Sequence, residues 1–428
     1  MKLLKGRDID AFIQRFESRR LQVSREVETA VQNIIQQIKQ RGDEALFEFA
    51  LKFDQVDLSS IPVKVPLQDL QSAYDELDSQ LLKVLKQARD NIKSFHEKAL
   101  PQSWLSWEED EIVLGQRVMP IERVGIYVPG GLAAYPSSLL MAAVPAQVAG
   151  VKEIVVVTPS DADGNINSTI LAAAHELGIN QFYRIGGAHA VAALALGTES
   201  IPRVDKIVGP GNIYVATAKK ILFGQCGIDM IAGPSEVLII ADVTANPVYV
   251  AADLLAQAEH DPLASAILVT NNEMLAETVL DQLSEQMQKL ARSEIISQSL
   301  SHYGAVIVVD TLEEAIDLSN RMAPEHLGIH CDSAWDVLAK IKNAGAIFLG
   351  HYSPEAVGDY WAGPNHVLPT NGSARFFSPL RAQDFLKVSS VIRYSKTALD
   401  QHGEAIQCFA RHEGLDAHAA SIAKRMIP

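Results

Sequence analysis

A glutamine and a histidine stand three residues apart near the end of an apolar, helix-like segment, Leu254-Leu255-Ala256-Gln257-Ala258-Glu259-His260. Residues at this spacing lie on one face of a helix. An amide oxygen and an imidazole nitrogen so placed can bind a borderline metal such as zinc, although glutamine is an uncommon ligand. His260 could instead act as a cation that caps the helix. Both interpretations stay open, because a metal needs more donors than these two.

Two downstream stretches contain side chains that could complete a metal site. The turn-rich segment 354–366 contains Asp359 and His366, and the cluster 411–418 contains Glu413 and His418. Carboxylates and imidazoles are common zinc ligands. Each stretch is equally typical of a polar surface loop or tail, and spacing does not show that they converge.

A carboxylate and an imidazole are adjacent at Glu325-His326, directly after Ala323-Pro324. Such a pair suits proton transfer, since histidine titrates near neutral pH and burial can raise the pKa of a glutamate into the same range. The alternative is a helix end at which Pro324 breaks the helix and His326 interacts with its dipole.

Three glycine-rich turns follow strand-like runs and precede helix-like segments, at 127–131, 185–188 and 208–212. Glycine lets the backbone approach a ligand closely, and a helix N-terminus favours an anion such as pyrophosphate. The G-x-G-x-x-G pattern with an acid about twenty residues later is absent. Nucleotide binding and plain tight turns both fit these segments.

The elements that must position these residues alternate between strand and helix. The first 110 residues are helical and charged, with apolar residues at helical spacing over Val23–Leu51 and Leu67–Leu100. From Ile112 onward short β-branched runs alternate with helices, which predicts parallel sheets covered on both faces. Two such runs meet near 232–235 and predict two α/β domains. The last 48 residues, 381–428, are too few for a core of their own and should dock on the same subunit or a partner.

Composition excludes several classes of protein. The formal charge of −15 comes from 52 acids and 37 bases, which disfavours nucleic acid and anionic membranes as partners. The start turns charged before the apolar region of a signal peptide develops, and the longest apolar stretch, Leu139–Val151, is too short to span a membrane. Three widely spaced cysteines form no C-x-x-C pair. A cytoplasmic protein is expected.

Several motifs in a fixed order resemble the histidinol dehydrogenase family over nearly the whole chain. They are Ile126–Gly131, Gly209–Asn212, Ala232–Val237, Gln257–His260, Ala323–Leu327, Gly358–Tyr360 with Asn365–Thr370, and Glu413–Leu415. The resemblance implies two doubly wound, incomplete Rossmann-like sheet domains with small N- and C-terminal extensions that dock on the partner subunit. The expected division is 1–23, N-terminal extension; 24–126 plus 237–380, first domain; 127–236, nucleotide-binding domain; and 381–428, C-terminal extension.

The resemblance also implies which residues act. The cofactors are NAD and one zinc ion per subunit, in a homodimer with a shared active site. Zinc ligands are expected at Gln257, His260, Asp359 and His418, the last from the neighbouring subunit. Glu325 and His326 match the acid–base pair. The substrate is expected to contact Ser235, His366 and Glu413 as well as His326 and the zinc ligands, and NAD to contact Tyr127 and Asn212. The family's glutamine at one further NAD contact is His189 here, and imidazole can also donate or accept a hydrogen bond.

The reaction implied is a late step of histidine biosynthesis: L-histidinol, two NAD+ and water give L-histidine and two NADH through an aldehyde. Zinc would orient the substrate through its imidazole and amino nitrogens. His326 would accept the hydroxyl proton, and Glu325 would activate water for the aldehyde step. Two alternatives stay open: a related dehydrogenase acting on another alcohol, and a zinc hydrolase.

Overall fold

The computed structural model describes residues 1–19, 24–130 and 135–426. The strands in these ranges are β1 (Lys2–Lys5), β2 (Trp104–Trp107), β3 (Val113–Pro120), β4 (Arg123–Tyr127), β5 (Glu153–Thr158), β6 (Gln181–Arg184), β7 (Lys206–Val208), β8 (Gly227–Ile228), β9 (Glu236–Ala241), β10 (Ser265–Thr270), β11 (Ala305–Val308), β12 (His326–His330), β13 (Ala346–Leu349) and β14 (Leu386–Arg393).

The α-helices are α1 (Arg7–Arg19), α2 (Arg25–Arg41), α3 (Asp43–Phe49), α4 (Leu67–Glu76), α5 (Ser79–Glu97), α6 (Pro136–Val148), α7 (Ser168–Glu176), α8 (Gly187–Leu196), α9 (Ile213–Leu222), α10 (Pro247–Ala258), α11 (Glu273–Met287), α12 (Ser293–Tyr303), α13 (Leu312–Met322), α14 (Ala334–Leu338), α15 (Glu355–Tyr360), α16 (Lys396–His412) and α17 (Asp416–Met426). A π-helical turn covers Ala50–Asp54, and 3-10 turns cover Glu109–Glu111, Ser373–Arg375 and Ala382–Phe385. Within the described ranges, none of the helices combines the length and the apolar character needed to cross a membrane.

The first sheet has six parallel strands in the order β1-β11-β10-β9-β12-β13. Its central strands are buried on both faces: Ile240 packs in a core on one side and Ile239 in a core on the other. Near-continuous apolar strands make this arrangement favourable, since no face of the sheet meets water.

The second sheet has five parallel strands in the order β6-β5-β4-β7-β8. Val156 packs on one face of it and Val155 on the other. The two parallel sheets with helices on both faces confirm the predicted α/β fold class.

The helices before residue 98 cover the second sheet. α2 packs on α8 and α9, α4 packs on α7, and α5 packs on α6. Val31 of α2 shares a core with Val155, and Leu85 of α5 shares one with Val156. The contacts of these helices are therefore with the second sheet, and the expected grouping of 24–126 with 237–380 stays a prediction. An amphipathic pattern shows that a helix covers a sheet but not which sheet it covers.

The N-terminal segment, expected as an extension of residues 1–23, adds an edge strand to the first sheet of its own subunit. β1 pairs with β11 in parallel, and Leu4 and Phe12 enter the core of that sheet. Residues 20–23, the last of the expected extension, lie outside the described residues.

A third, antiparallel sheet, β14-β3-β2, was not predicted. Only Ile112–Leu114 was expected to be extended there, whereas β3 continues to Pro120. β14 belongs to the expected C-terminal extension and pairs with β3 of the same subunit, and α16 and α17 pack against each other after it. The polar residues of β3 and β14 obscure the strand pattern, because both strands have largely exposed side chains.

Candidate active site

The adjacent acid and histidine lie where α13 gives way to β12. α13 ends at Met322, and Ala323 takes a left-handed conformation with φ 48°. Glu325 Oε2 then accepts a hydrogen bond from the Glu236 backbone N–H at 2.8 Å, and His326 Nδ1 donates to the Glu236 carbonyl oxygen at 3.1 Å. The neighbouring strand β9 therefore orients both side chains.

Burial sets the protonation of this pair. Glu325 is 5% exposed and His326 4% exposed. Burial raises the pKa of Glu325 well above its usual range, and the hydrogen bond from Glu236 opposes that rise. Burial lowers the pKa of His326 to about 3, so its ring is neutral. With the proton on Nδ1, the Nε2 atom is a buried acceptor that has no hydrogen-bond partner among the described residues. The ring does not cap α13, and the pair suits proton transfer.

A group of possible metal ligands lies beside this pair. His260, Glu355 and Asp359 each offer one ligand atom, and these atoms lie within 4.8 Å of one another. Glu355 and Asp359 are four residues apart on α15, so they project from one face. Glu355 Oε1 is also 3.8 Å from His326 Nε2. The acid–base pair and the possible metal centre are therefore contiguous.

Gln257 is fully buried and faces the same carboxylate. With its nitrogen toward Glu355, the amide lies 3.2 and 3.1 Å from the two carboxylate oxygens. The nitrogen is also 3.1 Å from His326 Nδ1, but that atom carries the proton donated to Glu236, so Glu355 is the acceptor. In this orientation the amide oxygen is directed away from the carboxylate, where it can accept a hydrogen bond or bind a cation.

The electrostatics of the group fit a bound cation. Burial raises the pKa of Asp359 to about 6 and that of Glu355 well above its usual range. Burial also lowers the pKa of His260, which keeps a ring nitrogen available as a ligand and argues against a capping cation. Clustered buried carboxylates beside a neutral imidazole suit zinc.

His366 connects the two sheets. Its Nδ1 lies 3.1 Å from the Asp359 carbonyl oxygen, and its Nε2 lies 3.4 Å from Ser138 Oγ on α6, a helix of the second sheet. Burial lowers the pKa of His366 to about 4, so Nδ1 donates and Nε2 accepts. The neighbouring Asn365 donates through Nδ2 to the carbonyl of Met141, also on α6.

The three expected cofactor contacts line one cavity of about 1150 Å³ on the second sheet. The Tyr127 hydroxyl accepts a hydrogen bond from Gly187 N–H at 3.2 Å, and burial raises the pKa of this tyrosine to about 12. His189 Nε2 lies 3.2 Å from Asp54 Oδ2. Asn212 caps α9 through its side chain. Gly131, expected in the first glycine-rich turn, lies outside the described residues.

Two expected substrate or metal contacts, Glu413 and His418, do not belong to the group of possible metal ligands that the described residues form in this subunit. Both residues are exposed near the junction of α16 and α17. Ser235 is half-buried one residue before Glu236. These positions leave room for the expected contribution of a second subunit.

Sequence reasoning missed Glu355, Ser138 and Asp54. The spacing of Glu355 and Asp359 would have found the first, because two acids four residues apart share a helix face. Ser138 and Asp54 each meet a histidine more than 100 residues away in sequence, and no local pattern marks such a contact.

The chain is similar to known proteins over nearly its whole length. The family model for histidinol dehydrogenase matches residues 17–426. The histidinol dehydrogenase of Geobacter sulfurreducens is 51% identical over 429 residues, 100% of each chain, and that of Bacillus subtilis is 53% identical over 395 residues, 92% of each chain. The crystal structure of histidinol dehydrogenase from Elizabethkingia anophelis has a TM-score of 0.93 at 37% identity, covering 100% of this chain and 98% of that one. The chain therefore belongs to the histidinol dehydrogenase family of oxidoreductases.

Proposed function

We propose that the protein oxidises L-histidinol to L-histidine with two NAD+ and one zinc ion per subunit, as a late step of histidine biosynthesis. The observation that carries the proposal is the neutral, buried His326 with a free Nε2, next to Glu325 and to a group of zinc-type ligands. The relatives named above, which are histidinol dehydrogenases, support the same substrate.

Gln257, His260 and Asp359 would hold zinc, with His418 of the partner subunit as the fourth protein ligand. When bound, zinc supplies coordination positions for the imidazole and amino nitrogens of the substrate and so orients its alcohol. His366, Ser235 and the partner subunit's Glu413 would contact the substrate. These seven positions lie between residues 235 and 418 of the sequence. In one subunit Glu413 and His418 do not belong to the group of possible metal ligands among the described residues, and a second subunit would supply them.

In the first oxidation, His326 Nε2 accepts the hydroxyl proton while a hydride leaves for NAD+, which gives an aldehyde. In the second, Glu325 accepts a proton from a water that attacks the aldehyde carbon, and this proton returns to the former carbonyl oxygen to give a diol. His326 then accepts a hydroxyl proton of the diol while a hydride leaves for the second NAD+, which gives the carboxylic acid. Glu325 must be ionised to act as this base. The rate of aldehyde oxidation should therefore rise as the pH rises through the raised pKa of Glu325.

Water attack is favoured over a covalent cysteine intermediate. A nucleophilic cysteine needs a lowered pKa, whereas burial raises the pKa of Cys226 and of Cys331 to about 11. Cys408 is exposed on α16.

All three cysteines are free thiols in the described residues, which supports a location in the reducing cytoplasm.

A homodimer is supported by the surface of the third sheet and the C-terminal helices. Trp107 is 70% exposed, Ile392 71% and Phe409 68%. Large exposed apolar side chains on the third sheet and on α16, the helix that leads to Glu413 and His418, are typical of a subunit interface. A second copy on this surface could bring those two residues to the metal group.

The test is the stoichiometry of NADH formation, followed by near-ultraviolet absorbance with histidinol as the limiting substrate and zinc present. Two NADH per histidinol are expected. If NADH forms with another alcohol but not with histidinol, the protein is a dehydrogenase with a different substrate. Hydrolysis without NADH would assign a zinc hydrolase.

A further inference from the structure

The loop after β7 has a backbone conformation that few residues adopt. Gly209 has φ +113°, and a Cβ there would lie 2.1 Å from the carbonyl oxygen of Tyr127. The loop continues to Asn212, which lines the cofactor cavity and caps α9. This segment, residues 209–212, is the cofactor loop. Its conformation sets the position of Asn212 relative to Tyr127, and both residues line the cavity.

A buried ion pair holds both backbone groups of Gly209. Asp229 Oδ2 accepts from Gly209 N–H at 2.8 Å, and Lys219 Nζ donates to the Gly209 carbonyl oxygen at 2.9 Å. The ammonium and the carboxylate also contact each other directly, and their side chains are 2% and 1% exposed. Lys206 is a neighbouring cation, but its ammonium donates to the carbonyl of Asp384.

Asp229 also starts the connection from the second sheet to the first. Its Oδ1 accepts from Met230 N–H at 2.6 Å. Further along this connection, Gly233 N–H donates a hydrogen bond to Thr370 Oγ1 at 2.6 Å. The connection ends at Glu236, whose N–H donates to Glu325 Oε2. The Asp229 carboxylate thus accepts hydrogen bonds both from the cofactor loop, at Gly209, and from the segment that leads to Glu325 and His326, at Met230.

We propose that the Lys219–Asp229 pair is a positioning element of the reaction: it fixes the cofactor loop at Gly209 and holds that loop at a set distance from Glu325 and His326. Neither side chain lines the cofactor cavity, so the pair acts through the backbone of Gly209. A buried ion pair is not needed for stability alone, since matched apolar or neutral replacements are often tolerated. The proposal rests on the proposed use of NAD.

The test compares Lys219→Met with Lys220→Met, which removes an exposed charge from the next position. Lys219→Met should raise the KM for NAD+ roughly 10- to 100-fold, the range for loss of a hydrogen bond to a charged group. The maximal rate at saturating NAD+ should change by less than about threefold, and zinc content should not change. Lys219→Arg, which can still donate to Gly209, should recover part of the loss. Lys220→Met should match the unsubstituted protein.

Stability is separated from positioning by the double variant Lys219→Met/Asp229→Asn, which leaves no uncompensated buried charge. Its melting temperature should recover relative to Lys219→Met, while its KM for NAD+ stays raised because the Gly209 carbonyl still lacks its donor. A KM that recovers together with stability, or an unchanged KM in folded Lys219→Met, would overturn the proposal. If the unsubstituted protein forms no NADH from histidinol, the proposed function fails instead.

Discussion

Replacing Glu325 by glutamine should separate the two oxidations. Glutamine keeps an oxygen that can accept the hydrogen bond from Glu236 N–H, now 2.8 Å long, so the β9–β12 geometry should persist. It cannot accept a proton from water. Loss of a positioned general base lowers a rate by about 10²- to 10⁴-fold, which corresponds to about 3 to 5.5 kcal/mol in the barrier.

This loss should be confined to the aldehyde half-reaction. His326 lies 3.8 Å from Glu325 Oε2 but is held through Nδ1 by the Glu236 carbonyl, so the base of the alcohol step keeps its orientation. The first NADH should therefore form within about tenfold of the normal rate. Because burial raises the pKa of Glu325, the aldehyde rate of the unsubstituted enzyme should rise with pH, and Glu325→Gln should lose that rise.

The assay is single-turnover NADH formation, started once from histidinol and once from the aldehyde. Glu277→Gln on the exposed side of α11 is the matched control and should behave as the unsubstituted enzyme. Equal losses in the two half-reactions would refute the assignment of water activation to Glu325, because a change common to both steps reflects binding or folding.

Other predictions concern the metal centre and the cofactor loop. His418→Ala should lower zinc content measured by atomic absorption, and a mixed dimer with a Glu325→Gln subunit should regain activity; no regain would contradict a ligand that crosses subunits. Glu355→Leu should lower zinc content, since the Gln257 amide loses its acceptors; Glu355→Gln, which keeps an acceptor, should lower it less. Burial raises the pKa of Asp359 to about 6, so the metal-free protein should lose stability as pH rises through that value; zinc should raise the melting temperature more at about pH 7.5 than at about pH 5, and equal shifts would argue against Asp359 as a ligand. Gly209→Ala should weaken NAD+ binding at least tenfold by titration calorimetry, because its Cβ would meet Tyr127.

The strands that could be predicted from sequence are those with both faces buried in apolar cores. β5 and β9 are mostly apolar because both faces of each are buried, and that composition is visible in a single sequence. β3 and β14 could not be predicted, since their pairing joins residues about 270 positions apart and their side chains are mostly exposed. The sheet that α2, α4 and α5 cover could not be predicted for a related reason: apolar periodicity shows which face of a helix is buried but not which sheet it packs on.

The candidate site divides in the same way. Gln257 with His260, and Glu325 with His326, could be found from local spacing, because short spacing on one element fixes relative placement. The meeting of these pairs depends on the register of β9 against β12, which places Val237 beside His326. The contacts of Glu355 with His326 and Gln257 could not be predicted, because they join residues far apart in sequence or on different elements.

The structure suggests a physical reason why the proposed reaction would need both sheets. The acid–base pair lies at the start of β12 in the first sheet, whereas Tyr127 and the Gly209 loop lie at the ends of β4 and β7 in the second. In the proposed reaction a hydride passes from a substrate held at the first sheet to NAD+ held at the second, so the separation of the two sheets has to be fixed. Two features join the sheets. One is the hydrogen bond between His366 and Ser138, and the other is the segment from Asp229 to Glu236, which is hydrogen-bonded at both ends. Both sets of contacts are polar and largely buried, so a change in the spacing of the sheets would break hydrogen bonds that water could not easily replace.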